Sequence, residues 1–422
     1  MHAPLSPGRG GAGQNGPRPH ADGGGLTTIE RGCMHLLRRG DSGPAVAEIR
    51  GMLVRLGLSS GEPEPPAGSP AEFTFDADVE HAVRAFQQRR GLITDGIVGP
   101  ATYRALREAG WKLGDRMLAL LVSAPMSGDD VVTLQERLLE LGYDVGRPSG
   151  VFDDLTERGL KAFQRDYGLA SDGVCGPQTL RALRQLGRKV TGGRPGLLRE
   201  QELLRRAGPR MRGKRIIVDP GHGGADRGVV NSGVAEADLM WDLARRLVGR
   251  MAATGMEAIL TRREDTCPPE AERAAFANTA GADLVLSLHT DANRSMHAQG
   301  LATFHFGSGS GPTSTVGEAL AGLIQRELLS RTSMLDCGSQ GRTWELLRLT
   351  RMPTVRVEVG YLTNIGDRRK LLNAEFRDIV AEGILVAVKR LYLLGQDDHP
   401  TGTFTFSDVL AHEIARNEAT AI

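Results

Sequence analysis

The sequence predicts an α/β domain in its second half, preceded by two small all-α repeats of three helices each. Two observations predict this. The segment "FDADVEHAVRAFQQRRGLITDGIVGPATYRAL" begins at Phe75 and returns at Phe152 as "FDDLTERGLKAFQRDYGLASDGVCGPQTLRAL"; Phe-Asp, Ala-Phe-Gln, Asp-Gly and Gly-Pro each recur 77 positions on. Repeated matches at one offset mark a duplicated domain. From Lys214 onward, short apolar runs alternate with longer stretches of helical periodicity, the pattern of a sheet covered by helices.

Each repeat reads as three helices. Val46, Ile49, Leu53 and Leu56 recur at helical spacing in the first, as do Leu134, Leu138 and Leu141 in the second. A second helix carries Val83 and Phe86, or Leu160 and Phe163. After the "DGxxGPxT" turn, Pro100 and Pro177 suit the first turn of a third helix. Phe86, Phe163, Leu92 and Leu169 read as core residues. In the second half, "RIIVD", "MEAILTR", "DLVLSLH" and "TVRVEVG" read as strands, and "LATFHFG" as a further one. The helices read over "EADLMWDLARRLVGRMAATG", "PEAERAAFANTAGA", 315–331 and "EFRDIVAEGILVAVKRLYL". The expected divisions are a disordered N-terminus at 1–30, repeats at 34–110 and 118–190, a linker at 191–212, the α/β domain at 213–393 and a tail at 394–422. Ser407 is the expected cap of a tail helix with Val409, Leu410 and Ile414 on one face.

Composition narrows the functional classes. The chain has 422 residues, too many for one ordinary core, and 52 Lys+Arg against 51 Asp+Glu give no basic surplus of the kind nucleic acid or an anionic membrane attracts. Cys33, Cys175, Cys267 and Cys337 are scattered, which predicts free thiols rather than a disulfide framework. No apolar run is long enough to span a membrane, and the Gly- and Pro-rich start lacks an export signal's apolar core. The expected location is therefore the cytoplasm. A different start or non-standard export would place the protein at the cell wall.

Chemistry concentrates at the strand ends. His222 follows the first strand in "DPGHGG", Glu236 opens the next helix, His289 ends "DLVLSLH", and Glu358 lies in "VRVEVG". Loops at the carboxyl ends of strands in an open α/β sheet gather along one edge, where sites form. Two imidazoles and a carboxylate suit Zn²⁺ and leave a position for water, while a further carboxylate takes that water's proton. Each residue also has a plainer reading: a turn histidine, a helix-dipole contact for Glu236, a capped strand end, and an ion-pair partner for Glu358. Val355, Val357 and Val359 face one way along their strand and Arg356 and Glu358 the other, and burying that charged pair without purpose would be costly.

In this order, "DPGHGG", "SLHTDAN" and "VEVGYLTN" resemble the zinc-dependent N-acetylmuramoyl-L-alanine amidases over about 213–392, and the two repeats resemble peptidoglycan-binding repeats. The resemblance implies an α/β three-layer sandwich amidase domain. It also implies Zn²⁺ held by His222, Glu236 and His289, with Glu358 as the catalytic glutamate. The sequence departs from the family in two places. Arg356 stands two residues before Glu358, where it is expected to lower the glutamate's pKa and weaken it as a base. "HTDAN" replaces the usual "HAN", so Asp291 is expected to orient a ligand from outside the coordination sphere. His305, between two phenylalanines, is expected on the outward side of its strand.

Two functions follow. In the first, the chain cleaves the amide between N-acetylmuramic acid and L-alanine in peptidoglycan or muropeptides, with the repeats holding the polymer near the site. In the second, an amidase scaffold without signal resembles the actinobacterial cytoplasmic amidase-like regulators, and acts on a cytoplasmic enzyme of peptidoglycan-precursor synthesis.

Overall fold

A computed structural model of the chain describes residues 36–59, 74–121, 124–186, 195–307, 311–396 and 399–419. The N-terminal stretch read as disordered lies outside them.

The first repeat comprises α1 (Pro44–Arg55), α2 (Ala77–Arg90) and α3 (Pro100–Ala109), and the second α4 (Asp129–Glu140), α5 (Asp154–Asp166) and α6 (Pro177–Gln185). Val46, Ile49, Leu53, Val83 and Phe86 are buried in the first, as are Leu134, Leu138, Leu160 and Phe163 in the second. Leu92 is buried and Leu169 packs against its core from the rim. The shared motif is structural. Gln87 Nε2 donates to Asp95 Oδ1 at 2.8 Å, the Ile97 carbonyl at 2.9 Å and Thr102 Oγ1 at 3.1 Å, and its Oε1 accepts from Gly96 N at 2.9 Å. Gln164 repeats the same four bonds around Asp172, Val174, Thr179 and Gly173. One buried amide thus pins the "DG" turn against the third helix, with all of its bonding capacity used.

The segment expected as linker instead carries helix α7 (Pro195–Ala207). Glu200 on α7 accepts from Ser314 Oγ at 2.8 Å and Val316 N at 3.0 Å, and Leu204 packs against the large core. A spacer needs no such contacts.

The α/β domain follows as β1 (Arg215–Pro220), the hairpin β2 (Val230–Asn231) and β3 (Val234–Ala235), α8 (Glu236–Ala253), β4 (Glu257–Leu260), α9 (Glu270–Ala280), β5 (Leu284–Asp291) and β6 (Leu301–Phe306). It continues through α10 (Thr315–Arg331), β7 (Asp336–Arg342), α11 (Glu345–Leu349), β8 (Thr354–Tyr361), α12 (Ile365–Leu372) and α13 (Ala374–Leu393), and α14 (Phe406–Glu418) forms the tail. Six strands make one sheet in the order β4-β1-β5-β8-β6-β7. Pairs among β4, β1, β5 and β8 are parallel, β6 runs antiparallel to β8, and β7 is parallel to β6.

Alternation along the strands builds three layers. Ile216, Val218, Leu286, Val355 and Val357 pack against α8, α10 and α13, whereas Ile217 and Val285 pack on the opposite face with Ala277 of α9. All six residues of β6 are buried, His305 included, so that histidine is not on an outward side as expected. The tail helix is capped by Thr405, not Ser407: its hydroxyl accepts from Asp408 N while the Asp408 carboxylate accepts from Thr405 N. Val409 packs against Val386 and Phe404, and Glu413 pairs with buried Lys389, which leaves Ile414 facing solvent. Among the described residues no helix is long and apolar enough to cross a membrane.

Candidate metal centre and catalytic carboxylate

Strand β1 ends in "DPGHGG", and the chain turns sharply there. Asp219 is fully enclosed, accepting from Ser287 Oγ at 2.7 Å, Thr261 Oγ1 at 2.5 Å and Arg273 Nη1 at 2.8 Å. Burial pushes its carboxyl upward, but Arg273 and the two hydroxyls outweigh that and hold it below the usual range. Two buried arginines then fasten the turn. Arg262 donates to the carbonyls of Pro220 at 2.8 Å, Gly221 at 3.1 Å and Ala237 at 3.2 Å, and Arg273 donates to the His222 carbonyl at 2.8 Å.

That fastening explains how His222 keeps a left-handed backbone, φ 58°, which side-chain-bearing residues rarely adopt. Position 221 must be glycine for a different reason: a Cβ there would collide with the His289 ring. The turn brings the two imidazoles together, edge to face, with centroids 5.2 Å apart.

Glu236 completes the cluster from the first residue of α8. Its Oε2 lies 3.3 Å from His222 Nε2 and its Oε1 3.0 Å from His289 Nδ1. Val229 N and Thr290 N also donate to this carboxylate, at 3.1 and 2.9 Å. Ligand atoms of His222, Glu236 and His289 all lie within 4.8 Å of one another, the only group among the described residues placed to hold a metal ion. Burial raises Glu236, but its bonds to the two histidines hold its carboxyl far below the usual range. His222 is shifted upward, chiefly by its bond to Glu236. Burial and then Arg356 push His289 down to about 4, so its ring is neutral, as coordination requires.

Glu358 stands on the neighbouring strand, in direct register with His289. Arg356 Nη2 lies 3.1 Å from Glu358 Oε1, and its guanidinium stacks over Trp344 at 4.6 Å. The pair does not have the net effect expected of it. Arg356 does lower Glu358, but burial dominates and pushes the carboxyl up to about 7. Asp291 also sits elsewhere than expected: its bonds are to Ala292 N, at 2.7 Å, and the Tyr361 hydroxyl. The carboxylate that orients a ring is Asp226, 2.8 Å from His222 Nδ1, which sequence reasoning missed. An Asp four residues beyond the histidine, on the same glycine-rich turn, was the available signal.

Residues 216–390 match the model of the N-acetylmuramoyl-L-alanine amidase family, and 42–106 and 127–183 each match that of a peptidoglycan binding domain. The Mycobacterium tuberculosis protein named N-acetylmuramoyl-L-alanine amidase CwlM is 54% identical over 389 residues, covering 91% of this chain and 96% of its own. N-acetylmuramoyl-L-alanine amidase LytC of Bacillus subtilis is 33% identical over 172 residues, 41% of this chain and 34% of that one. Among solved structures, an N-acetylmuramoyl-L-alanine amidase from Clostridium difficile 630 matches 44% of this chain and 100% of its own, with 28% identity and a TM-score of 0.41.

Proposed function

Because the chain belongs to the N-acetylmuramoyl-L-alanine amidase family, we propose that it hydrolyses the amide between N-acetylmuramic acid and L-alanine in peptidoglycan or its fragments, with Zn²⁺ held by His222, Glu236 and His289. One observation carries the reading: three convergent ligand groups lie beside a buried carboxylate in strand register with one of them. The donor set fits zinc. It offers two imidazoles and one carboxylate, His222 turns Nδ1 to Asp226 and leaves Nε2 toward the cluster, and Gly221 leaves room for the His289 ring.

Bound zinc would supply Lewis acidity to the amide carbonyl and acidify water. The remaining work belongs to the chain. Glu358, poised at about 7, takes the proton of the attacking water and returns it to the departing alanine nitrogen. Asp226 keeps the His222 ring in one tautomer, and Arg262 and Arg273 keep its backbone in place. A regulator that had abandoned catalysis has no chemical need for all these parts, which favours hydrolysis over the scaffold reading. The test combines metal analysis of purified protein with digestion of N-acetylmuramoyl-L-alanyl peptides, scored by new alanine amino termini. Zinc-loaded protein that releases none would end the proposal.

A further inference from the structure

We propose that the two repeats are one wall of the substrate cleft, so that a single muramoyl-peptide unit binds between repeat 1, repeat 2 and the strand end carrying Glu358. This rests on the amidase reading for the identity of the ligand. It goes beyond it in assigning the repeats a place in the site rather than a role as tethered anchors.

A cavity of about 530 Å³ lies where the three parts meet. Glu358, Arg356 and Trp344 line it from the α/β domain, Pro100 and Arg104 from repeat 1, and Pro148 to Gly150 from repeat 2. That volume is within the roughly 300–1,000 Å³ of small-ligand sites and suits one sugar-peptide unit rather than several strands.

Most of the wall's polar fastening converges on one short segment, 342–351, which runs through α11 and leads into β8. Repeat 1 reaches it through Thr343, whose N donates to the Gly91 carbonyl at 3.1 Å and whose Oγ1 donates to the Arg90 carbonyl at 2.6 Å. Arg348 pairs with Glu108 at 2.7 Å and Arg104 with Glu345 at 2.8 Å. Repeat 2 reaches the same segment: Arg147 donates to the Leu347 carbonyl at 2.7 Å, and Arg351 pairs with Asp153 at 3.2 Å and with Asp154. Arg90 grips Asp129 with two bonds of 2.7 and 2.6 Å, joining the repeats to each other.

The duplication provides an internal control. Positions 77 apart share their fold-making residues and two docking residues, Arg104 with Arg181 and Asp76 with Asp153, yet differ at three others that dock: Arg90 against Tyr167, Glu108 against Gln185, Ala77 against Asp154. Gly91 and Gly168 are equivalent, both left-handed, at φ 65° and 73°. A Cβ at Gly91 would lie 2.8 Å from the Gly307 carbonyl oxygen, whereas one at Gly168 meets nothing within 4 Å. Repeat 1 therefore approaches the α/β domain closely at a position where repeat 2 is open.

This pair supplies the experiment. Asparagine tolerates a left-handed backbone, so Gly91→Asn and Gly168→Asn impose similar local strain and differ in the collision. In the full-length protein, Gly91→Asn should speed amide exchange at Thr343 and weaken binding of N-acetylmuramoyl-L-alanyl-D-isoglutamine at least about tenfold. Gly168→Asn should change neither by more than about twofold. Unchanged affinity in Gly91→Asn, unchanged exchange at Thr343, equal loss in both variants, or no binding by the unaltered protein would each overturn the composite cleft. Binding that follows this pattern without cleavage would sink hydrolysis and leave the cleft standing. Cleavage that persists with Gly91→Asn affinity intact would do the reverse.

Discussion

Glu236 and Glu358 are both buried glutamates of one site, 1% and 8% exposed, one opening helix α8 and the other on strand β8, yet their carboxyls shift in opposite directions. Burial alone raises both. Around Glu236, two imidazoles and two backbone N–H groups favour the anion, and the carboxyl ends far below its usual range. Around Glu358, the Arg356 guanidinium is outweighed by burial and the like charges of Asp291 and Glu236, and the carboxyl ends near 7. Neighbours rather than depth decide which glutamate is held as an anion and which titrates near neutrality.

The sharpest break of this contrast removes the imidazoles. His289→Ala or His222→Ala should lose bound zinc and all turnover, because two remaining ligands hold the ion poorly. Metal analysis of each variant checks it, and stoichiometric zinc in both would end the assignment of zinc to this cluster.

Glu358→Gln tests the other member. Zinc should stay, and kcat should fall by about 10²–10⁴, the usual contribution of a general acid–base group. A smaller loss, within about threefold, would make Glu358 a structural partner of Arg356 instead. Between these extremes lies Asp226→Asn, which removes the carboxylate behind His222 but no ligand. Zinc affinity should drop about 10–100-fold in a competition titration, as such supporting groups typically cost.

Much of this site was legible because its residues stand at strand ends inside conspicuous motifs. His222, Glu236, His289 and Glu358 are placed by β1, α8, β5 and β8, the strands readable as short apolar runs and the helix by its apolar spacing. The parts that were not legible lack such a signal. β7 is a polar edge strand, Asp336–Arg342, with no fully buried residue and hence no alternation to read. Arg262 and Arg273 act by donating to main-chain carbonyls across the fold, contacts that no local spacing encodes. The docking of the repeats depends on pairs about 200 or more residues apart, such as Arg348 with Glu108 and Arg147 with the Leu347 carbonyl. The repeats' own apolar pattern was readable, yet it describes only their interiors.

Arg356 makes the smallest prediction and the one where structure reverses the sequence reading. An arginine beside the base was expected to weaken it, so that Arg356→Leu would be faster near neutral pH. With Glu358 already raised to about 7 by burial, the guanidinium has the opposite value: it keeps the carboxyl from rising further. Below its pKa Glu358 is protonated and accepts nothing from water, so turnover falls as pH drops through that value. Leucine at 356 removes a lowering influence, moves this acid limb toward higher pH and slows the enzyme severalfold at neutrality, and the deficit shrinks under alkaline conditions. Lysine at the same position keeps the charge but loses the stacking on Trp344, so its limb should stay near the original while the stacking contact is lost. Profiles of kcat/KM against pH for the three proteins decide the matter. A leucine variant whose limb stays in place or moves toward acid would mean that Arg356 does not set the proton affinity of Glu358, and the contrast between the two glutamates would then rest on burial and the neighbouring carboxylates.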